Sequence, residues 1–146
     1  MIIKFNMKIY ILTWFLLIVL LPNWATAEKL HKTQTSWDGG VIYYPQGQAE
    51  ITSVKLRIEE NQVTEFHCHP VPTLGYILQG DLVVETKNGE KTIFKKGESF
   101  VEVMRTIHRG QAINGPVEII VFYAGSTTMP NTVLPENNLN RKYCKS

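Results

Sequence analysis

Short alternating runs of apolar and polar residues dominate the chain from Ala49 onward. Val54, Leu56 and Ile58 are separated by polar residues, which is the pattern of a strand with one buried face. No window beyond the N-terminal segment carries the 3.6-residue apolar period of a helix. The pattern predicts roughly eight or nine short strands, and such strands with regular turn signals are typical of an all-β sandwich or barrel.

Glycine, proline and asparagine mark the predicted turns between these runs. Asn88-Gly89 is the strongest hairpin signal, because a type I′ turn needs positive φ at both central residues. Gly80 and the sequence Asn114-Gly115-Pro116 are predicted to end two further strands. The run from Val117 to Tyr123 is the most apolar, and we expect it to be buried on both faces.

The first 27 residues differ in composition from the rest. Lys4 and Lys8 precede an apolar run from Ile9 to Leu21, and Ala25-Thr26-Ala27 follows. These are the three parts of a secretory signal peptide, whose helical apolar core is shorter than the 20 or so residues that span a bilayer. An uncleaved N-terminal anchor is the alternative. We expect cleavage after Ala27, a periplasmic or secreted location and no stable membrane span afterwards.

The remaining 119 of the 146 residues have the size of one domain. We expect an N-terminal arm at 28–48, a β-barrel at 49–125 and an irregular C-terminal tail at 126–146. Without Lys4 and Lys8 the chain has 13 basic and 13 acidic residues, and it has no basic stripe interleaved with aromatics. Both features argue against a nucleic-acid partner.

His67 and His69 carry the strongest chemical signal in the chain. Successive side chains of a strand point to opposite faces, so these imidazoles share one face with Cα atoms roughly 6.5 Å apart. His108 follows about 40 residues later, at the start of another predicted strand. Three neutral imidazoles with an open position suit a divalent ion of Fe, Mn, Zn, Ni or Cu. The sequence therefore predicts a metal site.

Cys68 and Cys144 are the only cysteines of a chain expected to reach an oxidising compartment. Cys68 lies between the two histidines and would face away from their metal, so it is a poor ligand for the same ion. Two alternatives remain open. A disulfide would tie the tail to the outside of the fold, whereas a free Cys68 would pack as a small hydrophobe.

The motifs resemble those of the cupin superfamily, specifically the small single-domain cupins. The resemblance covers roughly Val54 to Ala124, in the stretches HCHPVPTLGYILQG and GESFVEVMRTIH. The motif residues that match are His67, His69, Gly80, Gly97 and His108. The resemblance implies a jelly-roll barrel that holds a metal ion and binds a small molecule. It also implies a possible homodimer, since many cupins are dimers.

The sequence departs from the family pattern at one ligand. The family's first motif carries a glutamate ligand four residues after the second histidine, and Thr73 occupies that position here. Glu102, on the strand that leads to His108, is the candidate replacement as fourth ligand or general base. A buried carboxylate would need a cation or a donor. The alternative is an outward Glu102 paired with Arg105 or a lysine.

Three residues form the predicted ligand pocket, namely Thr73, Tyr76 and Arg105. Tyr76 would stack on a ligand, and Arg105 would hold an anionic group at the barrel mouth. The resemblance leaves three functions open. One is a metal-dependent enzyme, an oxygenase, isomerase or lyase acting on a small polar molecule. The second is a non-catalytic module that binds a small molecule or a metal. The third is a scaffold whose histidines no longer bind a metal.

Overall fold

A computed structural model describes residues 25–145 of the chain. The predicted signal peptide, residues 1–27, lies outside the described residues except for its last three. Among the described residues, no helix has the length and apolar character needed to cross a membrane.

Five antiparallel strands form a single sheet. They are β1 (Ala49–Ile58), β2 (Thr73–Thr86), β3 (Lys91–Lys95), β4 (Ser99–Val101) and β5 (His108–Ser126). Their order is β1-β5-β2-β3, and β4 pairs with β2. Two short 3₁₀ helices, Pro135–Asn137 and Leu139–Arg141, follow in the tail. The all-β prediction is confirmed.

Two predicted turns are bends within continuous strands. β2 runs for 14 residues through Gly80, and β5 runs for 19 residues through Asn114-Gly115-Pro116. The bends face each other, and a Cβ at Gly80, whose φ is 77°, would collide with the Pro116 carbonyl. Glycine is therefore required at this close approach. The prediction of eight or nine short strands is wrong, because these residues bend the strands without ending them.

Each bend also keeps the apolar side chains on the buried face. On β2 the buried apolar positions pass from Ile77 to Leu82, and on β5 they pass from Ala112 to Val117. Both steps span five residues, whereas strict alternation requires an even number. The pairing of β2 with β5 shifts register between Ile77 and Asp81, as expected for β-bulges that insert an extra residue.

The hairpin between β2 and β3 lies at Asn88-Gly89, where Glu85 pairs with Lys91 across the two strands. Gly89 N–H donates to Thr86 O at 2.9 Å, and of the two turn residues only Gly89 has positive φ, at 90°. A type I turn followed by a left-handed glycine has this geometry. The position of the hairpin was predicted correctly, but the turn is not type I′.

Within residues 25–145 the hydrogen-bonded sheet does not close into a barrel, which corrects the barrel prediction. The segment that carries the histidine pair makes only isolated bridges, from His67 to His108 and from His69 to Met104. Two prolines follow, at positions 70 and 72, and neither can donate a ladder hydrogen bond. This side of the domain is therefore irregular.

The most apolar stretch of β5 is buried on one face, contrary to the prediction that both faces are covered. Val117, Ile119 and Val121 point into the core, whereas Phe122 is 45% exposed. The neighbouring strand β1 lies at the edge of the sheet. The sheet thus has one packed face, as is common for antiparallel sheets.

The described residues form two separate apolar clusters. The sheet cluster consists of Ile58, Ile77, Leu82, Val84, Phe100, Ala112, Val117, Ile119 and Val121. The tail cluster consists of Cys68, Ile107, Val133 and Cys144. Trp37, from the N-terminal arm, packs against the sheet cluster, and its backbone N–H donates to Val101 O at 3.1 Å.

Candidate metal centre

Three histidines line one cavity and converge on each other. His108 begins β5, and two backbone hydrogen bonds of 2.8 and 2.9 Å pair it with His67. The ligand nitrogens of these two rings and His69 all lie within 4.8 Å of one another. Metal–nitrogen bonds of about 2.1 Å place ligand atoms at most about 4.2 Å apart. The three rings are therefore close to a coordinating arrangement, but their ligand nitrogens lie slightly farther apart than around a bound metal ion.

The backbone orients all three rings in the same way. The Nδ1 atoms of His67, His69 and His108 lie 2.8, 2.9 and 2.8 Å from the carbonyl oxygens of residues 65, 131 and 106. A carbonyl only accepts, so each Nδ1 carries the proton, and in the neutral ring Nε2 is left as a lone-pair donor. Metal-binding histidines are commonly fixed by such outer hydrogen bonds.

The electrostatic environment favours the neutral rings that a metal requires. Burial lowers the pKa of all three histidines below the usual value, and the pKa of His69 falls well below it. Repulsion from His108 lowers the pKa of His67 and His69 further. The site therefore holds three unprotonated imidazoles near neutral pH.

Glu102 lies inside the cavity beside the histidines. Its side chain is 14% exposed, and its Oε2 is 3.7 Å from His108 Nε2. Burial raises the pKa of this carboxyl to about 7, although the charge of His67 and the Trp37 indole oppose the rise. Of the two orientations left open by the sequence, the structure has the inward one.

The unpaired polar atoms test whether a metal fits. Within the described part of the chain, four buried side-chain atoms lack a hydrogen-bond partner. Glu102 Oε2 and His108 Nε2 belong to residues that line the cavity, whereas Trp37 Nε1 and Arg105 Nε are donors outside the lining that a metal would not satisfy. Buried polar groups are normally paired, and each exception calls for an explanation such as an ion. An ion held by Glu102 Oε2 and His108 Nε2, together with the other two histidines, would satisfy both atoms. The three-nitrogen, one-carboxylate donor set suits first-row divalent metals.

The cavity has a volume of about 150 Å³. Its polar wall includes the three histidines, Glu102 and the hydroxyl residues Thr64, Thr73, Tyr123 and Thr132. Its apolar wall includes Leu56, Ile58, Leu82, Phe100, Ile119 and Val121. Among residues 25–145, neither lysine nor arginine lines it. The cavity wall therefore combines a metal-binding cluster with hydroxyl and apolar side chains.

The predicted pocket residues have different locations. Thr73 lines the cavity, but its hydroxyl donates to Val71 O at 3.1 Å. Tyr76 lies on the opposite face of β2, because Thr73 and Gly75 point inward there. Arg105 has its guanidinium directed to Lys142 O at 2.6 Å, in the tail. The structure thus contradicts the placement of Tyr76 and Arg105 in the pocket.

Sequence reasoning missed the tail residues beside the site. His69 Nδ1 lies 2.9 Å from Asn131 O and 3.3 Å from Thr132 Oγ1. Tyr123 also approaches His69, with 5.5 Å between ring centroids. The one sequence signal for Tyr123 is the alternation along β5, which places Tyr123 on the same inward face as Val121. The irregular tail has no periodic pattern that would place Asn131 or Thr132.

Cys68 and Cys144 form a disulfide, which is one of the two alternatives that the sequence left open. The other alternative, a free Cys68 packed as a small hydrophobe, is therefore wrong. Both residues are buried in the tail cluster. Backbone bonds of 2.9 Å in each direction also pair Cys68 with Val133. Because Cys68 stands between two site histidines, the covalent bond holds the tail directly behind the metal site.

Comparison with protein families gives one match. The model for the Cupin domain matches residues 54–123, a range that contains all three histidines and Glu102. No curated protein matches the sequence significantly.

Several solved structures share the fold. A cupin-like protein from Thermotoga maritima has a TM-score of 0.51 at 14% identity, covering 64% of this chain and 70% of that chain. DMSP lyase DddQ from Ruegeria pomeroyi has a TM-score of 0.51 at 16% identity, covering 60% and 44%. An oxalate oxidase has a TM-score of 0.49 at 16% identity, covering 66% and 52%. The chain spans about half the length of the oxalate oxidases that it matches. The likenesses to the cupin-like protein and to DddQ concern the fold alone.

Proposed function

Because the chain belongs to the cupin superfamily, we propose that it binds one divalent metal ion through His67, His69 and His108 and presents that ion to a small molecule in the cavity. One observation carries the proposal. Three Nδ1–carbonyl hydrogen bonds leave three Nε2 lone pairs beside one cavity, where His108 Nε2 and Glu102 Oε2 have no partner among the described residues.

Glu102 takes the place of the carboxylate ligand that the sequence lacks at position 73. Glu102 lies beside Thr73, the first residue of β2, since its backbone N–H donates to Thr73 O at 2.9 Å. In the metal-free cavity burial raises the pKa of this carboxyl to about 7, and a bound divalent ion would lower that pKa and favour the carboxylate, which both a ligand and a general base require. Glu102 therefore serves as fourth ligand or as general base.

The reaction classes that fit this arrangement are oxygenase, isomerase and lyase. A bound divalent ion would supply Lewis acidity and open coordination positions. The chain's own residues hold the ion, exclude water with apolar side chains and place one carboxyl beside the bound molecule. Among the structural neighbours are a DMSP lyase and the polyketide cyclase RemF, which supports an enzyme within the range of this fold.

Two further features belong to the proposal. Export to the periplasm or the exterior is supported by the basic, apolar and A-x-A segments at residues 1–27. It is also supported by the disulfide, which persists in oxidising compartments. The second candidate function is a non-catalytic module that captures a metal or a small molecule, which the small cavity of about 150 Å³ favours.

Metal binding by single-histidine variants tests the proposal. We expect the purified chain to bind one equivalent of Zn²⁺ or Fe²⁺, and His69→Ala and His108→Ala to weaken binding at least a hundredfold, measured by calorimetry. His31→Ala is the matched control, since His31 is exposed and lies outside the cavity lining. Retention of full metal affinity in both site variants would contradict the proposal.

A further inference from the structure

The N-terminal arm contains a tightly bonded turn around Asp38. Ser36 N–H donates to Gly40 O at 2.8 Å, and Gly40 N–H donates to Asp38 Oδ1 at 3.0 Å. Gly39 has a φ of 83°, a left-handed conformation that glycine adopts without steric cost. Ser36 is 4% exposed, although most of the arm is exposed. These contacts fix the backbone on both sides of Trp37.

Trp37 is anchored beside the segment that carries Glu102. Its backbone N–H donates at 3.1 Å to the carbonyl of Val101, which is the last residue of β4. Glu102 follows Val101 in the chain. The Trp37 side chain packs against the sheet cluster, and its indole nitrogen is buried. The turn therefore holds the indole in the interior, close to the strand end from which Glu102 enters the cavity.

The buried indole nitrogen has no hydrogen-bond partner among residues 25–145. Such groups are normally paired, and an indole N–H only donates, so it needs an acceptor such as a carboxylate oxygen. Burial raises the pKa of Glu102, and the charge of His67 and the Trp37 indole oppose this rise. The indole is therefore close enough to favour the charged carboxylate, and a small rotation of either side chain would pair the two groups.

A bound metal ion would leave part of the Glu102 carboxylate without a partner. Its Oε2 lies 3.7 Å from His108 Nε2 and thus faces the histidine cluster. Coordination through Oε2 leaves a second oxygen whose lone pairs need a donor, and metal-binding carboxylates are usually hydrogen-bonded by such outer groups. Neither lysine nor arginine lines the cavity within residues 25–145. The Trp37 indole is a buried donor close to this carboxyl.

We propose that Trp37 is a positioning residue for Glu102. Its indole N–H donates to one carboxylate oxygen, and the other oxygen is thereby held toward the metal ion. The proposal rests on the proposed metal site and extends that site to the N-terminal arm. Trp37 lies outside the range 54–123 that matches the Cupin domain, and it does not line the cavity. It therefore acts on the site only through Glu102.

Zinc calorimetry on four full-length chains tests the proposal: the wild type, Trp37→Phe, Glu102→Ala and the double variant. Trp37→Phe keeps an aromatic ring against the sheet cluster and removes the N–H donor. We expect it to lower Zn²⁺ affinity about tenfold, as is typical when an outer hydrogen-bond partner of a ligand is lost. In the Glu102→Ala background the same substitution should change the affinity less than about twofold, because the acceptor is gone.

A merely structural role of Trp37 predicts a different result. Trp37→Phe would then lower Zn²⁺ affinity by the same factor in both backgrounds, and this outcome would overturn the proposal. Full Zn²⁺ affinity in Trp37→Phe would overturn it as well. Tyr43→Phe is the matched control, since it removes the hydroxyl of an aromatic residue in the same arm that is 68% exposed. We expect this control to keep the wild-type affinity, and urea titrations verify that every variant is folded.

The visible absorption of the Co²⁺-loaded chain gives a second readout, because it depends on the ligands and the geometry around the ion. We expect the spectrum of Trp37→Phe to shift toward that of Glu102→Ala, whereas Tyr43→Phe should match the wild type. An unchanged spectrum in Trp37→Phe would contradict the positioning role.

The two proposals fail in different ways. If the wild-type chain does not bind Zn²⁺, the proposed function fails and the role of Trp37 fails with it. If Zn²⁺ binds and Trp37→Phe acts equally with and without the Glu102 carboxyl, only the role of Trp37 is wrong.

Discussion

The two sides of the metal centre are built by different means. His108 stands at the start of β5, where it pairs with Thr86 in the ladder to β2, and Glu102 is tied to Thr73 by a backbone hydrogen bond. We call this the sheet side. His67 and His69 stand on an irregular segment that makes isolated bridges only. We call this the tail side, because a disulfide and residues 131–133 hold it in place.

The difference shows how a small open sheet fixes a precise site. On the sheet side, cooperative hydrogen bonding and the buried sheet cluster position the ligands. On the tail side, prolines prevent such pairing, so a covalent bond and a few specific hydrogen bonds replace it. Arg105 joins the two sides, since its backbone N–H donates to His69 O and its backbone O accepts from Lys145 N–H. The tail side therefore depends more strongly on single residues.

Removal of the disulfide has the largest expected effect on this comparison. Cys68 and Cys144 are separated by 76 residues, and loss of a native disulfide that closes a long loop costs about 2 to 5 kcal/mol. We expect the double variant Cys68→Ala/Cys144→Ala to lose stability in this range in denaturant titrations. Its affinity for Zn²⁺ should fall about tenfold, because His67 and His69 lose their support.

Reduction of the wild-type chain provides the control. A reductant should reproduce the loss of metal affinity in the wild-type chain and leave the double alanine variant unaffected. Full Zn²⁺ affinity in the double variant would show that the tail side does not rely on the disulfide.

Glu102→Gln probes the sheet side, with a smaller expected change. Burial raises the carboxyl pKa from 4.5 to about 7, so the folded metal-free chain keeps a proton that the unfolded chain has lost. Stability therefore falls as pH rises from about 4.5 to 7, and the cost at pH 8 is about 3 kcal/mol. We expect Glu102→Gln to recover this stability above pH 7 in metal-free urea titrations, while weakening metal binding.

The lowered histidine pKa values act in the opposite direction, because the unfolded chain binds protons below about pH 6.5 that the folded chain does not. Because Glu102 raises the pKa of His67, its replacement also changes the histidine contribution. The variant and the wild type are therefore compared above pH 7, where the histidines are largely unprotonated in the folded and the unfolded chain. Glu90→Gln, at an exposed position, is the matched control. If Glu102→Gln and the wild type have the same dependence of stability on pH, the Glu102 carboxyl ionises as readily in the folded chain as in the unfolded chain.

Thr132→Val should have the smallest effect. It removes the hydroxyl 3.3 Å from His69 Nδ1 but leaves the bond to Asn131 O. A single hydrogen bond contributes about 1 kcal/mol, so we expect Zn²⁺ affinity to fall a few-fold with little change in unfolding free energy. Thr128→Val, an exposed threonine elsewhere in the tail, is the control. A tenfold or larger loss would show that the hydroxyl, and not the carbonyl, orients His69.

Local pattern predicted the parts of the molecule that depend on few neighbours. The alternation in β1 and the glycine of the β2–β3 hairpin act over short distances, so the all-β class and the hairpin position followed from them. The bends at Gly80 and 114–116 were interpreted as turns, because residue types that favour a turn also favour a bulge. Only pairing across the sheet, where Gly80 meets Pro116, distinguishes the two.

The amino-acid sequence by itself determined the cupin resemblance, the histidine set and the candidate role of Glu102, since each rests on residue type and spacing. Three features were decided by the tertiary structure: the inward side chain of Glu102, the disulfide between Cys68 and Cys144, and the tail residues that hold His69. All three depend on contacts between segments far apart in the chain. A periodicity along one strand carries no information about which distant segment packs behind it.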